Sequence, residues 1–135
     1  MENKIERIKI RLNRLTVLSF KEFKKLKYGD SEIPVSDSYV VTEAYKMICP
    51  KIEKIRWGEI DKAIIPNVSN NRDFPVTSLP TTLSLESDVS LGLRNLQRKM
   101  VEVAQSRVFF SFVVKVVMYA AILEFHGQLD KYLME

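Results

Sequence analysis

Apolar residues near the start of the chain recur at intervals of three and four. Ile5, Ile8 and Leu12 lie on one face when residues 3–28 are drawn as a helix, which is the spacing expected of an amphipathic helix. Gly29 follows at once and suits the left-handed position that ends many helices. The pattern therefore predicts that an amphipathic helix fills most of residues 1–28.

Helical spacing continues in the next part of the chain. A serine or aspartate at 36–38 suits an N-cap, and Val41 and Ile48 would belong to the apolar face of a second helix. Pro50 predicts a break near its own position, because proline lacks a backbone N–H and clashes with the preceding turn. A shorter helix is expected to follow the break.

Residues 66–86 are predicted to form an irregular loop. Three of the five prolines of the chain fall here, among asparagine, serine and threonine residues. A loop of about twenty residues is long for a compact domain, and such loops are usually functional or mobile. We expect a segment that a partner orders or that a protease can cleave.

The last third of the chain predicts two helices. Val89, Leu93 and Leu96 lie in the first, and the second spans about 108–133. Residues 108–123 are almost wholly apolar, which is compatible with a membrane span, a buried strand or a buried helix. A span needs about 20 apolar residues and tolerates few charges, so the short length and Lys115 argue against it. A helix that is apolar on all sides favours the centre of a bundle.

These elements predict an all-α fold. A chain of 135 residues fits one domain, so we expect residues 1–135 to form a single four- or five-helix bundle. The basic N-terminal helix would lie outermost, as an arm that could dock on a neighbouring subunit, and the C-terminal helix would lie at the centre. The sequence shows no internal repeat.

Charge is distributed unevenly along this chain. The formal net charge is +4, but residues 1–28 hold nine basic and three acidic residues (9 − 3 = +6). The remaining residues hold 12 basic and 14 acidic residues (12 − 14 = −2). All of the positive excess therefore lies in the first segment, which indicates a polyanionic or acidic partner for it.

Catalytic and metal-binding patterns are missing from the sequence. The chain has one cysteine, Cys49, and one histidine, His126, and its four glycines are isolated. Zinc clusters, calcium loops and phosphate-binding glycine loops cannot be drawn from such residues. Cys49 is expected to be a buried structural residue, and Glu59 and Asp61 are expected to be solvated. We therefore expect no cofactor and no enzymatic activity. The first residues lack the apolar stretch of a signal peptide, so a cytoplasmic protein is expected.

Basic side chains at helical spacing form the strongest candidate site. The first segment would present them as one stripe, and α-helical spacing adds two more later in the chain. The candidate nucleic-acid-binding residues are Lys4, Arg7, Arg11, Arg14, Lys21, Lys25, Arg94 and Arg98. Rows of lysine and arginine bind phosphates through counterion release. A merely solvated face, a membrane surface and an acidic protein remain alternatives for the same residues.

Two functional hypotheses follow from this pattern. In the first, the protein binds the phosphate backbone of DNA or RNA with low sequence specificity, in a packaging, coat or regulatory role. In the second, it is a protein–protein interaction module, such as an inhibitor, an adaptor or a self-assembling subunit. That module would use the N-terminal helix and the 66–86 loop to contact an acidic partner or another copy of the chain.

Overall fold

The computed structural model describes residues 4–69 and 78–134 and has a mixed α/β architecture. The elements are β1 (Ile5–Leu12), α1 (Arg14–Tyr28), α2 (Asp37–Ile48), a 3₁₀ helix (Cys49–Lys54), α3 (Trp57–Lys62), β2 (Leu79–Glu86), α4 (Ser87–Ala104), α5 (Phe110–Phe125) and a 3₁₀ helix (Leu129–Tyr132). The all-α prediction is therefore wrong, because β1 and β2 pair as an antiparallel two-stranded ribbon.

β1 occupies the part of the chain that was predicted to begin the basic helix. Ile8 and Leu12 are buried, whereas Arg7, Lys9 and Arg11 are exposed, and this alternation is the period of a half-buried strand. Ile8 and Leu12 satisfy the helical spacing as well, so the apolar positions alone were ambiguous. The predicted outer arm is also wrong, because this segment pairs with β2 of its own chain.

α1 begins directly after β1 and packs into the core. The side chain of Asn13 accepts a hydrogen bond from the Thr16 backbone N–H at 2.9 Å, which is the N-cap interaction. Gly29 ends the helix at a φ of 82°, as its position in the sequence predicted. Phe23 is fully buried, so α1 is an integral core helix and does not lie outermost.

β2 lies at the end of the segment that was predicted to be a loop. Its buried residues Leu83 and Leu85 alternate with exposed residues, and they face the same core as Ile8 and Leu12. Pro80 is tolerated within the strand because a two-stranded ribbon has only edge strands. Of the predicted 66–86 loop, residues 66–69 form a turn, residues 79–86 form β2, and residues 70–77 lie outside the described part of the chain.

α5 is the central helix, as the sequence predicted. Ten of its residues are buried, and α1, α2, α3 and α4 all contact it. It ends at Phe125, earlier than the predicted 133, and a 3₁₀ helix follows. Lys115 is accommodated by an ion pair with Asp61 at 3.1 Å and by the Phe112 ring, whose centroid lies 4.9 Å away. Across residues 4–69 and 78–134, no helix is long and apolar enough to cross a membrane.

The two halves of the fold have the same architecture. Each half is a strand followed by two long helices, β1–α1–α2 and β2–α4–α5. α1 begins at Arg14 and α4 begins at Ser87, which is 73 residues later (87 − 14). Phe110 begins α5 at the same distance after Asp37 begins α2 (110 − 37). The chain therefore contains a structural repeat that its sequence did not reveal.

Burial follows the same 73-residue offset. Nine buried positions of the first half coincide with buried positions of the second, although most of the residue types differ, whereas the equivalents of Leu18 and Glu22 are exposed. The buried pairs are Leu12 and Leu85, Thr16 and Val89, Val17 and Ser90, Phe20 and Leu93, Phe23 and Leu96, Val40 and Val113, Val41 and Val114, Ala44 and Val117, and Ile48 and Ala121. The ladder pairing therefore relates β1 and β2 by an approximate two-fold axis, and both halves contribute to one hydrophobic core. The helices pack less symmetrically, because α1 contacts α5 extensively whereas the equivalent pair, α4 and α2, makes few backbone contacts.

Candidate nucleic-acid interface

The outer face of the ribbon carries a compact row of cations. Arg7, Lys9 and Arg11 alternate with the inward-facing residues of β1, so their side chains all leave the same face. All three are exposed. Same-face residues of a strand recur about every 6.8 Å, so the row from Arg7 to Arg11 is about 14 Å long.

The strand opposite this row supplies small, uncharged side chains. In the ladder, Arg7 pairs with Ser84, Lys9 with Thr82 and Arg11 with Pro80. Cross-strand neighbours on one face lie about 5 Å apart, so the small side chains leave the cations prominent. Within the part of the chain that the structure describes, no carboxylate forms an ion pair with Arg7, Lys9 or Arg11.

The ribbon is held rigidly from beneath and along one edge. Ser38, in the first turn of α2, accepts a hydrogen bond from the Ser84 backbone N–H at 2.8 Å. The neighbouring Asp37 carboxylate accepts one from the Thr81 hydroxyl at 2.9 Å. These bonds satisfy a backbone donor on the free edge of β2, and the buried leucines beneath fix the twist of the ribbon. The outer face is therefore a preorganised platform.

The structure distributes the predicted site residues over several surfaces. Arg7 and Arg11 lie together on the ribbon. Lys4 is exposed just before β1, and Arg14 is the half-buried first residue of α1. Lys25 and Arg98 are exposed on α1 and α4. The continuous stripe that helical geometry predicted does not form, because residues 5–12 are extended.

Two of the predicted nucleic-acid-binding residues, Lys21 and Arg94, instead form ion pairs within the protein. Lys21 lies 2.7 Å from Glu32. Arg94 donates two hydrogen bonds to Glu6, at 2.7 and 3.1 Å, and its guanidinium lies 5.4 Å from the centroid of the Phe110 ring. The hydrogen bond from Arg94 lowers the pKa of the Glu6 carboxyl. Glu6 points to the inner side of the ribbon, so Arg94 fastens β1 to α4 from below.

The 73-residue offset also relates these helix cations. It brings Lys21 onto Arg94 (94 − 21) and Lys25 onto Arg98 (98 − 25). Lys21 and Lys25, from the predicted basic stripe, therefore occupy the same two helix positions in the first half as Arg94 and Arg98 do in the second. Within each half, the first cation is paired inside the protein and the second is exposed.

Lys9 was not among the predicted site residues, although it lies at the centre of the ribbon face. A helical drawing separates it from Arg7 and Arg11, whereas a strand places all three in one row. Strict alternation of Arg7, Ile8, Lys9, Ile10 and Arg11 is visible in the sequence. That alternation is the pattern by which Lys9 could have been found.

The residues considered for catalysis do not converge. Cys49 is exposed, so the prediction of a buried cysteine is wrong. His126 is exposed beyond the end of α5, and Glu59 is exposed on α3, whose Asp61 is paired with Lys115. Among residues 4–69 and 78–134, no group of acidic, histidine and cysteine side chains could hold a metal ion.

A second surface, away from the ribbon, is an apolar groove. It has a volume of about 840 Å³ and lies between α3, the 3₁₀ helix before it and the α4–α5 connection. Val103, Phe109 and Met134 at this groove are 88%, 60% and 50% exposed. The Lys99 and Glu53 side chains beside it form an ion pair, so the groove offers apolar contacts more than free charge.

Comparison of the chain with protein-family models, with curated proteins and with solved structures found no match to any of them.

Proposed function

We propose that this protein binds double-stranded DNA by inserting its two-stranded ribbon into the major groove. One polypeptide would supply both halves of a ribbon–helix–helix unit, the arrangement in which two strand–helix–helix halves share one ribbon. The observation that carries the proposal is the outward row of Arg7, Lys9 and Arg11 on a ribbon that is hydrogen-bonded to α2. The protein would act without catalysis, in a regulatory or packaging role.

The dimensions of the ribbon support this proposal. The major groove of B-DNA is about 12 Å wide and admits a two-stranded β-ribbon, and ribbons are an established means of reading DNA. Base pairs rise by about 3.4 Å, so the row from Arg7 to Arg11 would span about four base-pair steps. The major groove of A-form RNA is too deep and narrow for such an element, which favours DNA over RNA.

Electrostatics supports the same surface. Arg7, Lys9 and Arg11 have no ion-pair partner among the described residues. When such cations approach DNA phosphates, counterions condensed on the DNA are released, and this release favours binding. Pairing would have removed that advantage, as it does for Lys21 and Arg94.

The test is a DNA-binding titration of the triple variant Arg7→Gln, Lys9→Gln and Arg11→Gln. We expect the affinity for duplex DNA to fall by at least about tenfold at low salt. The plot of log K against log salt should also flatten, by at most about 2.7, the value for three lost phosphate contacts, and by less for each cation that contacts a base edge instead. Fluorescence anisotropy with a labelled duplex at several salt concentrations measures both quantities.

The matched control changes three cations elsewhere by the same net charge. Lys46, Lys54 and Lys131 are exposed and lie away from β1, so their triple replacement by glutamine should change binding much less. Equal losses in the two variants would mean that only net charge matters. If wild-type protein shows no affinity for DNA at low salt, the proposed function is wrong.

A protein–protein interaction module is the second candidate function. The observation that favours it is the apolar groove beside Val103 and Phe109, since exposed apolar patches commonly mark interaction sites. Sedimentation without nucleic acid tests it. Concentration-dependent assembly that Val103→Ser and Phe109→Ser abolish would support self-association through the groove. A protein that remains monomeric at all concentrations would count against self-association.

A further inference from the structure

The approximate two-fold axis crosses the centre of the ribbon. Lys9 and Thr82 are 73 residues apart (82 − 9), so they are equivalent positions in the two halves. They are also direct partners in the ladder. A residue that pairs with its own counterpart must lie on the symmetry axis. The axis therefore passes between Lys9 and Thr82 on the outer face.

The other outward positions can now be matched across this axis. Arg7 corresponds to Pro80, and Arg11 corresponds to Ser84, by the same offset. Had the halves been identical, the ribbon would present the same three side chains twice. It presents arginine, lysine and arginine on β1 but proline, threonine and serine on β2. The strand pairing of the ribbon is thus symmetric about this axis, while its outer surface is not.

The two strands differ in what they can recognise. Arginine and lysine donate hydrogen bonds to O6 and N7 of guanine, and an arginine does so with two bonds at once. Threonine contacts a thymine methyl group through its own methyl, and serine bonds to any base edge. Proline has no side-chain donor or acceptor. Selective recognition of guanine is therefore confined to the β1 side of the ribbon.

We infer that the preferred DNA site is not a palindrome, and this inference rests on the proposed function. Symmetric dimers impose palindromic sites because two identical halves read two identical half-sites. Here one half would require guanine bases opposite Arg7 and Arg11, and the other would accept several sequences. Both halves lie in one chain, so the asymmetry cannot be averaged out by exchange of subunits.

Selection of wild-type protein on a library of random duplexes tests the inference. We expect the enriched motif to contain guanines on one side of its centre and a weaker preference on the other. Substitution of a selected guanine pair should reduce affinity by about tenfold or more. A palindromic motif would overturn the inference. So would tight binding without any sequence preference, which would indicate phosphate contacts alone.

Two variants connect the asymmetry to named residues. Pro80→Arg, Thr82→Lys and Ser84→Arg together give β2 the outward side chains of β1, and the selected motif should become palindromic, with guanines in both halves. Arg7→Lys with Arg11→Lys keeps the charge but removes the two-bond contact. That variant should bind random DNA as well as wild type does and discriminate guanine about tenfold less. An unchanged motif in both variants would overturn the inference.

The outcomes separate this inference from the function on which it rests. Absence of DNA binding by the wild-type protein would overturn the proposed function itself. A palindromic or unspecific motif would leave DNA binding standing and remove only the asymmetry. Circular dichroism and thermal melting of each variant show whether it has folded, and the wild-type motif alone decides the question if a variant has not.

Discussion

Gly92 in α4 lies where that helix crosses Tyr45 of α2. A Cβ atom built at position 92 would come within 2.5 Å of Cζ in the Tyr45 ring, and no real Cβ contact is that close. The two helices belong to different halves of the fold, so this contact helps to set how closely the halves approach. A side chain at position 92 would therefore displace the Tyr45 phenol from its present position.

We predict that Gly92→Ala destabilises the protein by about 1–3 kcal/mol, the usual cost of an overpacked site. In an unobstructed helix the same change stabilises by up to about 1 kcal/mol. Gly58 in α3 provides that control, because a Cβ atom added there would meet nothing within 4 Å. Urea unfolding of both variants measures the difference. Removal of the phenol with Tyr45→Ala should reduce the cost of Gly92→Ala, and a neutral Gly92→Ala would contradict the close approach.

Arg94 shows how far single residues can be interpreted from sequence. It was a candidate phosphate ligand because of its charge and its spacing from Arg98. Its actual partner is Glu6, which lies 88 residues away in the chain. Nothing local to either residue indicates the pair. The identity of a cation can be taken from sequence, but whether it is free to bind depends on tertiary neighbours.

At the scale of elements, β1 is the decisive case. Ile8 and Leu12 fit both a helix and a strand, so the two interpretations differ at other positions. A helix would bury Ile5, whereas the strand leaves Ile5 56% exposed and packs Ile10 against the core. The strand forms because β2 satisfies its backbone and its inward residues complete the core. The sequence of residues 5–12 alone does not reveal this pairing with β2.

We predict that Ile10→Ala costs about 1–3 kcal/mol of unfolding free energy, and that Ile5→Ala costs less than about 0.5 kcal/mol. The cost at position 10 comes from lost burial, and the small effect at position 5 comes from its exposure to solvent. Chemical denaturation of the two single variants gives both values. The reverse order of stabilities would support the helical interpretation of this segment.

At the scale of the whole molecule, one chain supplies both strands of the ribbon and both pairs of long helices. The ribbon takes one strand from each half, and α5 packs against helices of both halves. A ribbon assembled from separate subunits would need association before it could bind. Here both strands belong to one chain, so the ribbon is complete without a second copy.

We predict that one chain binds one duplex site under the proposed function. Sedimentation or native mass spectrometry of the complex should give a one-to-one mass. The titration should be hyperbolic even at low protein concentration, because no dimerisation precedes binding. A sigmoidal curve together with a two-to-one mass would show that a second copy is required and would contradict the prediction.

The sequence by itself determined the local features of this protein. Helical spacing located α2, α4 and α5, Pro50 marked the end of α2, and Gly29 marked the end of α1. Each of these depends on residues within a few positions of one another, where capping, proline geometry and apolar periodicity act. The excess of cations near the start of the chain was likewise evident from the sequence.

Only the tertiary structure decided what the first segment is and which of its cations are free. Strand pairing joins residues 5–12 to residues 79–86, and such long-range pairing leaves little trace in a short segment. The repeat was hidden for a related reason. A core position requires an apolar residue of suitable size but does not require one particular residue type. Equivalent positions can therefore hold different residues, such as Phe20 in the first half and Leu93 in the second, and the sequence then shows no repeat.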